Sequence, residues 1–158
     1  MNIARLAVGF VVGVMLLAGG RALAQDLAKI VTKADVEKAA GAKFKDGWKP
    51  MPTQMSFAQE GGDLQISVDV EPREASSTVR SWEATIKKME PSTRVDTITG
   101  VGKDAIYHTT RADNGALSAD FDKPRVQLRV AVAGAKSPAQ ARQIVVDLAK
   151  TVGARIGR

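Results

Sequence analysis

Apolar residues recur along this chain with two periods, and the changes of period mark its elements. Leu64, Ile66, Val68 and Val70 alternate with Gln65, Ser67 and Asp69, the period of two expected of a strand with one buried face. Val126, Leu128, Val130 and Val132 repeat that pattern and form the clearest strand. Thr53, Met55 and Phe57 alternate more weakly, and Glu60-Gly61-Gly62-Asp63 turns them into the Leu64 strand as a β-hairpin. Further strands are predicted over residues 94–98, 105–110 and 116–121. Asn114-Gly115 is expected to join the last two through positive φ angles. Gly100-Val101-Gly102 and Asp122-Lys123-Pro124 read as bends, and residues 46–52 as a loop punctuated by Gly47, Pro50 and Pro52.

The helical period appears three times. Thr32 can cap the amide of Asp35 and Asp35 can reach back, with Val31 and Val36 placed as a hydrophobic staple. Gly41 suits the left-handed end of that helix. A second helix opens at Ser76 or Ser77 with Val79, Trp82, Ile86 and Met89 on one face, and Pro91 stops it. This face makes Trp82 a core residue by expectation. Ser137-Pro138-Ala139-Gln140 starts the third, whose stripe runs through Ala141, Ile144, Val145, Leu148 and Val152.

The order αββαββββα predicts an α+β fold: one antiparallel sheet of about six strands, with helices on one face and the other solvated or partly covered. Two ββα units, about 53–90 and 115–156, align without a gap at an offset of 62. The Leu64 strand falls on the Val126 strand, and Arg80, Trp82 and Ile86 fall on Arg142, Ile144 and Leu148. An internal duplication is the expectation.

The first 24 residues follow a different logic. Arg5 precedes fifteen uncharged residues, 6–20, and Arg21-Ala22-Leu23-Ala24 ends in the small-x-small pattern read by signal peptidase. Fifteen helical residues reach only about 22 Å, short of a hydrocarbon core about 30 Å thick. A signal peptide over 1–24, cleaved after Ala24, predicts a periplasmic or secreted protein with no stable membrane span. Residues 25–158 then form a single α+β domain. The chain holds no cysteine, so the fold relies on its core rather than on disulfides.

The formal net charge is +6, and both charged side chains of the leader are basic. The remaining charges are interspersed with no run of five alike, which argues against a nucleic-acid footprint. His108 is the only histidine, so a metal or haem site has too few ligands. No serine lies in a Gly-x-Ser-x-Gly turn. The carboxylate pairs Glu60 with Asp63 and Asp120 with Asp122 read as solvated residues at hairpin ends. Gly100-Val101-Gly102-Lys103-Asp104 lacks the ending of a phosphate loop. An enzyme would need Lys103, Asp104 or His108 in a shared cleft. No catalytic, cofactor-binding or metal-binding residue is assigned.

Residues 99–107, Thr-Gly-Val-Gly-Lys-Asp-Ala-Ile-Tyr, resemble the Gly-x-Gly-Asp-x-Ala signature of small exported bacterial proteins and lipoproteins of unknown function. Lys103 here precedes Asp104, and the lipid-attachment cysteine is absent. The resemblance implies an exported α+β domain and no particular chemistry. Trp48 lies in a Gly-Trp-Lys-Pro-Met-Pro stretch, where strand or helix periodicity does not demand an aromatic. With Met51 and Tyr107 it forms the candidate contact patch. The expected function is a non-enzymatic binding or accessory domain contacting a protein or envelope component. The alternative is a small-molecule carrier with an apolar pocket between sheet and helices.

Overall fold

The protein was analysed as a computed structural model that describes residues 27–109 and 111–156; the leader expected over residues 1–24 lies outside them. After a helical turn at 27–30 come α1 (Lys33–Ala40), β1 (Trp48–Met51), β2 (Gln54–Ala58) and β3 (Gln65–Pro72). Then follow α2 (Val79–Met89), β4 (Arg94–Thr97), β5 (Asp104–Thr109), β6 (Gly115–Asp122), β7 (Arg125–Ala133) and α3 (Pro138–Ile156). The strands form one antiparallel sheet in the order β1-β2-β3-β7-β6-β5-β4.

The α+β architecture is as expected, but the sheet has seven strands rather than six. The extra one, β1, comes from the segment read as a loop. Pro50 cannot donate to a ladder, yet an edge strand needs only one bonded side. β1 pairs with β2 alone and carries an irregularity between Trp48 and Met51.

β7 is the middle strand. Val126, Leu128, Val130 and Val132 are buried on one face, with Ile66, Val68 and Val70 of β3 and Leu117, Ala119 and Phe121 of β6 beside them. α3 seals this face through Ala141, Ile144, Val145, Leu148 and Val152. The Gly-x-Gly bend joins the same core: Gly100 and Gly102 adopt positive φ, and buried Val101 lies within reach of Gly153 on α3.

α2 corrects the layer order. Ile106 and Val79 are fully buried but lie outside the core cluster under α3. The Val79 amide donates to Asp120 Oδ2 at 2.9 Å, and Asp120 alternates with the core residues Ala119 and Phe121. α2 therefore crosses the opposite face, over β5 and β6. The duplication is unsupported for the same reason. Trp82 is 40% exposed where its counterpart Ile144 is 2% exposed, so the helices bury different surfaces. Two alternating strands match whatever their origin. α2 also starts later than predicted, capped by Thr78 in a reciprocal box with Ser81.

Gly115 serves a purpose other than the one expected. Positive φ is found at Gly41, Gly61, Gly100, Gly102 and Gly134, but not at Gly115. A Cβ at Gly115 would lie 2.6 Å from the Tyr107 hydroxyl. The glycine makes room for the tyrosine, and the Asn114 side chain holds the turn by accepting from the Arg111 amide at 3.1 Å.

α1 forms as predicted, with the Thr32–Asp35 capping box and Gly41 at φ 65°. Asp35 also receives both terminal nitrogens of Arg155, at 2.6 and 2.8 Å. This bidentate pair ties the start of α1 to the end of α3. The Arg155 hydrogen bonds hold the Asp35 pKa at about 2, below its ordinary 3.8. The carboxylate therefore stabilises the fold fully above pH 3.8, and that contribution is lost as pH falls toward 2. Discounted for the exposure of Arg155, it amounts to about 1 kcal/mol. Asp35→Asn should lower the stability by that amount in urea titrations at pH 7. The gap from the parent should close in titrations near pH 2.

Candidate functional site

Antiparallel registry sets one row of side chains straight across the sheet. Trp48 of β1 faces Ser56 of β2, which faces Ser67 of β3 and then Ala131 of β7. Ala131 faces Ala116 of β6, which faces His108 of β5. This row belongs to the face opposite α3. Five strand spacings of ~4.8 Å separate its ends by ~24 Å. The four residues between are serine or alanine, so the floor is low, and the ends are an indole and an imidazole. The result is a groove of about 380 Å³, within the usual size range of small-molecule sites.

The helix face builds the far wall. The Trp82 ring of α2 packs on His108 with centroids 5.5 Å apart. The Arg129 guanidinium lies over the same indole at 5.7 Å. Arg129 stands one strand pair along from Ala131, opposite Ser118 on β6 and Asp69 on β3. It borders this groove and a second cavity of about 270 Å³, which Trp82, Asp69, Glu71 and Gln127 also line.

Burial pushes the His108 pKa below its ordinary value, and the positive charge of Arg129 adds to that shift. His108 is therefore neutral at pH 7, with a buried Nε2 that lacks a hydrogen-bond partner. Asp69 moves the other way. Burial raises its pKa, opposed by a hydrogen bond from Thr53 and the charge of Arg129.

The three residues of the sequence-derived patch do not come together. Trp48 and Met51 are 48% and 49% exposed on the edge strand. Their partners Ser56 and Gln54 put both on the groove face, since cross-strand partners share a side. Tyr107 is 2% exposed and belongs to the core under α3, where Arg142 lies 5.9 Å from its ring. The pleat explains the correction: Tyr107 and His108 are adjacent on β5 and point to opposite faces. The groove takes the histidine.

Lys103, Asp104 and His108 are held by different neighbours. Lys103 pairs with Asp122 at 3.1 Å and Asp104 with Arg80 at 3.2 Å. Asp120 is not the solvated hairpin residue expected. It is 2% exposed, accepts from Val79 and from Gln127 at 3.1 Å, and has the Arg73 Nε 3.6 Å away. It anchors the start of α2. Among the described residues no group of three or more His, Cys, Asp or Glu is placed to hold a metal ion.

Sequence reading missed Arg129 and misplaced Trp82. The signal for both lay in β6 and β7. Ala116 and Ser118 are too small to be the outward residues of a fully solvated strand, and Arg129 is the only charge inside residues 126–132.

His108 is the only histidine in the chain, so one imidazole signal reports on this wall. In an NMR titration its midpoint should lie below 6.5. Trp82→Ala removes the ring that buries it and should bring the midpoint back toward 6.5. Arg129→Gln should move it upward by less. A midpoint unchanged by Trp82→Ala would contradict burial under the indole as the cause.

Comparison with known proteins finds no matching family model, and no curated protein or solved structure similar to the chain; the function must be read from the groove's own side chains.

Proposed function

We propose that this protein is an exported, non-enzymatic binding domain whose ligand seats in the groove between Trp48 and His108. The observation that carries the reading is the groove itself. It is a small-residue floor between two aromatic ends, on a sheet face that α2 covers only in part. Such a floor lets a flat molecule approach the sheet backbone, and the rings supply contact area with little conformational entropy to lose. The site differs from the carrier alternative in position: it lies on the face away from α3, not between the sheet and that helix.

Export rests on Arg5, the apolar run over 6–20 and Ala22-Leu23-Ala24. The resemblance of residues 99–107 to small exported proteins supports the same compartment. No described helix is long and apolar enough to cross a membrane. The separate partners of Lys103 and Asp104 support a binding role over a reaction. A protein or envelope partner is the second reading, favoured by Trp48 and Met51 standing exposed together at the sheet edge.

The test is native mass spectrometry of the protein recovered from its own exported fraction. The expected species starts at Gln25, holds 134 of the 158 residues and carries extra non-covalent mass. Ala131→Trp fills the middle of the floor and should release that mass without loss of folding. An uncleaved chain would overturn the compartment. Retained mass in the folded Ala131→Trp variant would overturn the groove.

A further inference from the structure

We propose that the groove selects a monoanion: a single carboxylate on a flat, largely apolar body. This rests on the groove being the binding site and adds the charge and shape of what it binds.

The charge follows from the lining. Among the described residues around the groove, Arg129 is the only one with a formal charge. The one other titratable side chain there, His108, is held neutral at pH 7 by burial. Among the described residues Arg129 has no carboxylate within ion-pair distance and makes no hydrogen bond; its guanidinium lies 5.7 Å from the Trp82 ring centre. A guanidinium presents a planar fork of donors that matches a carboxylate two-to-two. One such fork at the rim of an otherwise uncharged groove complements one negative charge. A phosphate dianion or a polyanion would call for several cations, and none of the other lining residues supplies one.

Asp69 faces Arg129 from β3, yet it lines the second cavity and not the groove. On the sheet Asp69 stands between Arg129 and Gln54 of β2, two residues along β3 from Ser67. Burial raises its pKa against the lowering effect of Thr53 and of the Arg129 charge, and so weakens the negative charge it presents beside Arg129. Its Oδ1 is buried without a hydrogen-bond partner. The guanidinium carbon lies 5.7 Å from the centre of the indole, and a guanidinium that meets a ring through its face can still offer its edge to a carboxylate.

The shape follows from the floor. Beside Arg129 the groove is lined by Ala131, Ala116 and Ser67, none of which is large enough to meet a ring laid flat. Trp48 at the other end offers an aromatic surface 48% exposed. A ring anchored by its carboxylate at Arg129 would lie along this floor.

Three probes sharing a phenyl ring test the assignment by calorimetry on the mature chain: phenylacetate, 2-phenylethanol and phenethylamine. Phenylacetate should bind about tenfold or more tightly than the alcohol, and the amine most weakly. Arg129→Gln should remove the preference for phenylacetate over the alcohol; Arg129→Lys should keep part of it. Tighter binding of the amine, equal binding of all three, no binding at millimolar concentration, or a preference that survives Arg129→Gln would each overturn the monoanion assignment. None of these bears on whether Ala131→Trp releases the mass that the native protein carries, so the groove reading stands or falls separately.

Discussion

The alternation along β7 is the constraint on which the rest of the structure depends. This strand occupies the centre of a seven-stranded sheet, and its side chains divide strictly by parity. Val126, Leu128, Val130 and Val132 are each at most 3% exposed; Gln127, Arg129, Ala131 and Ala133 face the other way. A slip of one residue would exchange the two sets and put an arginine into the core. The cost of that exchange fixes the register of β3 and β6 on either side, and through them the whole row from Trp48 to His108. The groove floor lies on the reverse of the core: along the row from Trp48 to His108, the strands that bury valine and leucine against α3 present serine and alanine on their other side.

The two faces receive unequal cover. α3 runs for 19 residues with a wide apolar stripe, joined by α1 and the turn at 27–30. α2 has 11 residues, and Val79 is its only buried one. It is held at its start by the bonds among Asp120, Val79, Gln127 and Arg73, and further along by Trp82 on His108. Its last turn ends in Met89 at 76% exposure. A helix attached mainly by one end and one ring leaves the sheet from β1 to β7 uncovered. The bare surface is thus a product of where the apolar residues of α2 run out.

Much of this was legible in the sequence, and the failures share one cause. Period-two alternation located β3 and β7, and capping chemistry located the starts of α1 and α3, because these signals are local. What periodicity does not encode is which face of a sheet a helix will choose. Trp82, Ile86 and Met89 make a regular apolar stripe whether or not a core waits beneath it. The stripe in α2 therefore gave the helix but neither its side of the sheet nor the partial exposure of Trp82. The same limit separated Tyr107 from Trp48: proximity across five strands depends on parity counted through every intervening pair. β1 was missed because its cues, Pro50 and Pro52, forbid an interior strand and are silent about an edge.

Arg129 shows how a local rule is set aside at a site. Opposite charges on directly paired residues normally bind each other, and Asp69 is the direct partner of Arg129. The pair does not close. Asp69 is partly buried, which raises its pKa and weakens the negative charge it presents, and its Oδ1 has no hydrogen-bond partner. Arg129 stacks on Trp82 instead. A sheet built for stability alone would gain from joining the two, since neither group would then lack an ionic partner. Keeping them apart leaves a guanidinium at the rim of a groove whose other described lining residues carry no formal charge. That arrangement has a physical rationale if the missing partner arrives from outside the chain.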